Sequence, residues 1–177
     1  VALVSFVGSR GMGGLSGMVM GSVSASVVSH ASCPVVVVRE DSHVTDSTKY
    51  GPVVVGVDGS EVSQKATAYA FREAQARGAA LIAVHTWMDM QVQASLAGLS
   101  AAQSEWADIE KEQSELLAEN LKEPREEYPD VEVKQLITRD RPVSALTEAA
   151  EGAQLLVVGS HGRGGFKGML LGLSLIH

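Results

Sequence analysis

The sequence predicts an open, doubly wound parallel α/β sheet. Short buried apolar runs alternate with stretches long enough for helices, and one such run, Leu155 to Val158, opens directly into a glycine-dense loop. That run-and-loop stretch also occurs twice in the chain. Strands alternating with helices require right-handed β-α-β crossovers, and these build a parallel sheet covered on both faces. Ligands bind such sheets at the carboxyl ends of the strands, where the strand order reverses.

The repeat sets the domain organisation. VSFVGSRGMGGLSGMVMGSVS near the N-terminus superposes on the stretch around Leu155 to Ser174 with a shift of 151 positions (Gly159 minus Gly8). Gly8, Ser9, Gly11, Gly13, Gly14, Gly17, Met18 and Gly21 fall on Gly159, Ser160, Gly162, Gly164, Gly165, Gly168, Met169 and Gly172. A period near 150 residues is a domain length. The expectation is the C-terminal part of a first domain over 1–39, a linker over 40–51, and a second domain over 52–177. The chain has 177 residues, so the reading expects a fragment whose second domain lacks its last helix and strand.

Each element then follows. Val1 to Val7 reads as a buried strand and Gly8 to Gly17 as the first glycine loop. Ser22 is suited to N-cap a helix with Val23, Val27, Val28 and Ala31 on its buried side, and Pro34 starts the β-branched strand Val35 to Val38. That surplus strand is expected to dock on the open edge of the second domain. The polar, turn-rich stretch 40–51 has no periodicity.

Pro52 to Val57 is the next buried strand and ends in Asp58-Gly59-Ser60. Ser60 is placed to N-cap a helix with Glu61 in its first turn, the small residues Ala66, Ala70 and Ala74 with Phe71 facing the sheet, and Gly78 as its stop. Ala79 to Trp87 is a strand and Met88 to Ser100 is irregular. A long acidic helix runs from Ala101 to about Lys122, with Trp106, Ile109, Leu116, Leu117 and Leu121 on one side and Pro124 and Pro129 ending it. Val131 to Ile137 fits a strand nearer the sheet edge, and Pro142 opens a helix through Ala150 that Gly152 ends. Leu155 to Val158 reads as a strand buried on both faces.

The chemistry lies in the loop that follows, Gly159-Ser160-His161-Gly162-Arg163-Gly164-Gly165. Glycines let bare backbone approach a ligand, and successive N–H groups form an anion-binding nest. A helix opening near Gly172 adds a second anion site. The reading is a phosphate cradle facing the loop that carries Asp58.

Composition agrees with a globular α/β protein at 45% hydrophobic and 20% charged residues. A net charge of −7 gives nucleic-acid binding no electrostatic footprint, and no run of 18 apolar residues exists to span a membrane. The lone Cys33 fits a reducing cytoplasm. No P-loop lysine, Gly-x-Gly-x2-Gly turn, Gly-x-Ser-x-Gly elbow or metal-ligand cluster is present, so an enzyme reading has little support and any catalysis is expected to be weak.

The pattern Gly-x2-Gly-x9-Gly-[Ser/Thr] after a buried strand resembles the nucleotide signature of the universal stress protein family. Gly8, Gly11, Gly21 and Ser22 match it, as do Gly159, Gly162 and Gly172. The opening PVVVGVDGS with Asp58, and HASCPVVVVR from His30 to Arg39, are similar to that family's first strand and last helix-to-strand corner. The resemblance covers nearly the whole chain, and the tandem arrangement is similar to two-domain members. It implies a Rossmann-like, adenine nucleotide alpha hydrolase-like fold that binds ATP, with Mg2+ as its companion, and a role in stress response or dormancy. It places Gly56 and Asp58 beside the adenosine, with Asp58 on the ribose hydroxyls, and Val84 against the adenine. Gly159, Ser160, His161, Gly162, Arg163, Gly164 and Gly165 would wrap the phosphates, and Gly172 and Ser174 complete the cradle. Gly8, Gly11, Gly21 and Ser22 would form a first-domain half-site. The second copy departs from the pattern after Gly172, where Leu173 replaces a hydroxyl residue.

Other readings stand beside these. Asp58 also reads as a turn residue before Gly59, His161 as a solvent-facing loop residue and Arg163 as a surface charge. Cys33 reads as a small hydrophobe, the acidic 105–130 run as a solvated helix face, and Trp87, Met88 and Met90 as packing. The expected partners are an adenine nucleotide and a homo-oligomer or tandem pseudo-dimer, with no nucleic acid, no membrane and an unknown regulated protein. A non-nucleotide dimerisation or scaffolding protein of the same fold is the alternative, and a slow ATPase is a third.

Overall fold

Two parallel sheets organise the chain. The computed structural model describes residues 4–9, 21–38, 50–87 and 103–160, with side chains from 108 onward in the last stretch. Met88 to Ser100, most of 40–51, and 161–177 lie outside the described residues.

The first sheet pairs β1 (Ser5–Gly8) with β2 (Val35–Val38) in parallel register, Ser5 opposite Val35 and Gly8 opposite Val38, with α1 (Ser22–His30) as the crossover. Four expectations change here. The first strand is not buried throughout: its exposure alternates along the strand and Phe6 is 71% exposed, because α1 covers one face of a sheet only two strands wide. Gly21, not Ser22, is the N-cap of α1, and it makes no side-chain cap bond. The expected buried stripe holds only in part: Val27 and Val28 are partly buried, but Val23 and Ala31 are exposed. Val23 is 75% exposed, whereas Ser24 is buried and its hydroxyl donates to the Gly8 carbonyl at 2.6 Å. That bond supplies the helix-to-strand contact that a valine was expected to make. Val35 to Val38 pairs with β1 in its own sheet rather than docking on the second one.

The second sheet holds β3 (Val53–Gly56), β4 (Leu81–Thr86), β5 (Val133–Thr138) and β6 (Leu155–Val157), all parallel, in the order β5-β4-β3-β6. The chain steps outward from β3 to β5, then returns to the other side of β3. The strand order therefore reverses between β3 and β6, as a doubly wound sheet requires. Central β3 presents Val53, Val54 and Val55, all fully buried. β6 is only partly buried, contrary to the two-faced burial expected of it, because it has a strand neighbour on one side in this sheet.

Alternate residues of the strands feed two cores. On one face, Val53, Val55, Leu81 and Ala83 pack on α2 (Glu61–Arg77) through Ala66, Ala70, Phe71 and Ala74, and on α3 (Gln103–Glu127) through Leu117 and Leu121. On the other, Val54 and Val84 meet Ala145, Leu146 and Ala149 of α4 (Pro142–Ala149). The small residues of α2 let its axis lie close to the sheet. Ser60 caps α2, its hydroxyl accepting the Ser63 N–H at 3.2 Å, and Gly78 closes it in the left-handed conformation at φ 59°.

Pro124 does not end α3. The helix continues through it to Glu127. Proline removes one N–H, but the last turn keeps its own bond, the Tyr128 N–H donating to the Pro124 carbonyl, and is held by tertiary packing, the Tyr128 ring lying 6.1 Å from that of Phe71. Packing overrides the local preference.

Candidate functional site

The reversal between β3 and β6 fixes the site. Val55 pairs with Val157, so the loops that leave these two strands emerge side by side at one edge of the sheet. One carries Asp58, the other begins at Gly159.

The Asp58 loop is tightly bonded. The Asp58 carboxylate accepts the Ser60 N–H at 2.9 Å, and the Asp58 N–H donates to the Ser63 hydroxyl at 3.1 Å. That hydroxyl in turn reaches the Gly56 carbonyl at 3.5 Å. Gly59 takes φ 75°, the left-handed conformation that lets the chain turn between Asp58 and the cap of α2. The turn reading and the functional reading of Asp58 are thus compatible, since the turn holds the carboxylate in place at the strand end.

Gly56 and Val84 are register partners on the α4 face. A β-carbon at Gly56 would stand 3.3 Å from a terminal methyl of Leu146, so the absence of a side chain there lets α4 approach. Val84 is 2% exposed and packs with Val54 and Ala145, while its carbonyl accepts the Val57 N–H at 2.8 Å. Gly159 is partly buried and Ser160 exposed at the end of β6. The structure thus gathers Gly56, Asp58, Val84, Gly159 and Ser160 at the carboxyl end of the sheet. His161, Gly162, Arg163, Gly164, Gly165, Gly172 and Ser174 lie outside the described residues.

In the first sheet, Ser9 is buried just after Gly8. Its N–H donates to the Val38 carbonyl and its carbonyl accepts the Gly21 N–H, both at 2.8 Å. The two ends of the first glycine loop are therefore pinned together, with Gly8, Gly21 and Ser22 around the closure. Gly11 lies outside the described residues.

Two contacts escaped the sequence reading. His85, 5% exposed, joins the Val57 carbonyl to Gln113 of α3. A histidine inside the apolar run Leu81 to Thr86 was its signal, but Gln113 is distant in sequence. Trp87, read as packing, is indeed buried, and the Arg139 guanidinium sits 5.4 Å from its ring centroid. Among the described residues no group of three or more His, Cys, Asp or Glu is placed to hold a metal ion, and no helix is long and apolar enough to cross a membrane.

Comparison with known proteins agrees with this geometry. The model of the universal stress protein family matches residues 6–39 and 49–174. Universal stress protein Rv2005c of Mycobacterium tuberculosis is 48% identical over 166 residues, covering 94% of this chain and 54% of that protein. Universal stress protein Rv1996 of the same organism is 46% identical over 172 residues, covering 97% and 53%. The chain thus spans about half the length of the relatives it matches. A universal stress protein structure from Archaeoglobus fulgidus aligns with 97% of this chain and 54% of its own, at 24% identity and a TM-score of 0.57. UspA from Lactobacillus plantarum aligns with 70% and 86% at 20% identity and a TM-score of 0.54. The parallel sheet, the strand order and these matches lead to one conclusion: the chain belongs to the universal stress protein family.

Proposed function

We propose that this chain is an ATP-binding regulatory module of the cytoplasm, acting in stress response or dormancy. The observation that carries the proposal is the adjacency of the Asp58 loop and the Gly159 loop where the strand order reverses. Asp58, held at the end of a central strand, would accept hydrogen bonds from the ribose hydroxyls. Gly56 would bound the adenine side, and Val84, whose side chain is buried with Val54 and Ala145, would back it from the core rather than touch the base. Gly159 to Gly165, with Gly172 and Ser174, would wrap the phosphates through backbone N–H groups. Mg2+ would ride on those phosphates, as that ion does when it binds through substrate phosphates and keeps several waters. The bound nucleotide would bias contact with a regulated protein, and turnover would be weak at most.

The same reading divides the chain into the C-terminal part of one domain (1–39), a linker (40–51) and a second domain (52–177). It is supported by the repeat of 151 positions and by the order β1-α1-β2 over 5–38. One observation also favours an association role, as a homo-oligomer or tandem pseudo-dimer: Phe6, Val23 and Val38 are exposed on the first unit.

Titration calorimetry with ATP tests the reading. Micromolar to millimolar binding is expected. The Asp58→Asn variant keeps an acceptor for the Ser60 N–H but loses the charge, and is expected to bind about tenfold more weakly, the loss of hydrogen bonds to a charged group. No binding by the unaltered chain would leave the association role in its place.

A further inference from the structure

The buried pair of His85 and Gln113 has no part in the reading above, yet it is bonded directly to the loop that carries Asp58. His85 Nδ1 lies 2.7 Å from the Val57 carbonyl, and Nε2 lies 2.9 Å from the Gln113 side-chain oxygen. A carbonyl only accepts, so Nδ1 carries a proton and donates it. Gln113 offers an oxygen to a ring N–H or, with its amide turned over, an N–H to a bare ring nitrogen. Either way both ring nitrogens are satisfied.

Gln113 stands in line with Leu117 and Leu121 on the buried side of α3, spaced four residues apart, where an apolar side chain would pack without needing a partner. Two polar groups placed in a core are tolerated when each satisfies the other. What the pair reaches is specific. The peptide group between Val57 and Asp58 is held at both ends: its C=O by His85 Nδ1, its N–H by the Ser63 hydroxyl at 3.1 Å. The Val57 N–H, in the preceding peptide group, is bonded to the Val84 carbonyl, so two consecutive peptide groups leading to Asp58 are held.

We infer that His85 is a positioning residue for Asp58: it locks the Val57–Asp58 peptide plane, while Gln113 satisfies the other nitrogen of its ring. The inference rests on the reading of Asp58 as a nucleotide-binding residue.

Two variants separate the two bonds of the ring. Asn carries its amide nitrogen near the place of Nδ1, so His85→Asn keeps the donor to Val57 and breaks the link to Gln113. His85→Gln reaches toward Gln113 and loses the donor to Val57. The whole chain is followed by NMR-detected hydrogen exchange at the Ser60 amide, which is bonded to Asp58, and by ATP titration. In His85→Gln, exchange at Ser60 is expected to rise about tenfold and ATP affinity to fall about tenfold, the scale of one hydrogen bond; in His85→Asn both are expected to stay within about threefold. Both variants are expected to melt at similarly lowered temperatures, so the contrast between them is not one of stability. Unchanged Ser60 exchange in His85→Gln overturns the inference, and so does an equal loss of ATP affinity in the two variants. If the unaltered chain binds no ATP, the proposed function fails instead, and Ser60 exchange still decides whether His85 holds the loop.

Discussion

Gly51 and Gly152, far apart in sequence, meet backbone to backbone: a β-carbon on Gly51 would overlap the Gly152 carbonyl oxygen. The contact sits at the entry to β3 and β6. Gln154 seals it, its side-chain amide donating to the Gly51 carbonyl at 2.7 Å and its N–H to the Pro52 carbonyl at 3.0 Å. Because the obstacle is backbone on both sides, it cannot rotate away. Gly51→Ala is expected to cost about 1–3 kcal/mol and lower the melting temperature by several degrees. Urea unfolding within 0.5 kcal/mol of the unaltered chain would contradict this close approach.

Gly56 offers the gentler case. The atoms that a β-carbon would meet there are the terminal methyls of Leu146, at 3.3 and 3.4 Å, and these belong to a side chain that can shift. Gly56→Ala is expected to cost less than about 1.5 kcal/mol, and Gly56→Val more than that. Denaturant melts of the two variants side by side measure the room above this strand.

Two phenylalanines divide the chain by environment. Phe71 is fully buried between the sheet and Tyr128, whereas Phe6 is mostly exposed on β1. Phe71→Ala is expected to lose about 3–5 kcal/mol through the cavity it leaves. Phe6→Ser is expected to stay within about 0.5 kcal/mol, as a surface change does. Chemical unfolding of both reads the contrast, and a large loss in the Phe6 variant would mean that this face is covered in solution.

Asp140 gives a dependence on pH. The Ser144 hydroxyl and then the Arg141 N–H, which lies 2.6 Å from its carboxylate, hold its pKa below the usual carboxylate value. A depressed folded-state pKa means stability that is present above the unfolded value and lost as pH falls through the folded one. Asp140→Asn is therefore expected to be less stable than the unaltered chain at neutral pH, and the two are expected to converge in acid, below about pH 3.9. Thermal melts from pH 7 to pH 3 check the convergence; a gap that stays constant would show that the charge of Asp140 is not its source.

The second sheet was legible because β3 and β6 are short valine and leucine runs, and β4 and β5 carry enough valine, leucine and isoleucine to stand out from the turns around them. Ser60 and Gly78 mark the ends of α2, and both act as their residue types require. The stripe from Ala66 to Ala74 was readable for the same reason. What failed were local rules overruled by distant partners. Pro124 should stop a helix, but Tyr128 packs on Phe71 and the helix runs on. Val23 should be inside and Ser24 outside, but Ser24 finds the Gly8 carbonyl. In the site, Asp58 and Gly159 were visible as residues that follow strands. His85 was not, because its meaning depends on Gln113, 28 residues away on another element.

The position of β3 bears on how the chain is made. Val53 pairs on one side with Leu81 and on the other with Leu155, roughly a hundred residues later. At a synthesis rate of about 5–20 residues/s, β3 leaves the ribosome roughly 5–20 s before the segment that closes its second edge. For that interval its valines, which lie wholly inside the finished fold, face the cellular medium with a row of unpaired N–H and C=O groups beside them. The nascent chain is at its stickiest then, and slowing translation between β4 and β6 would lengthen the exposure without changing a single residue.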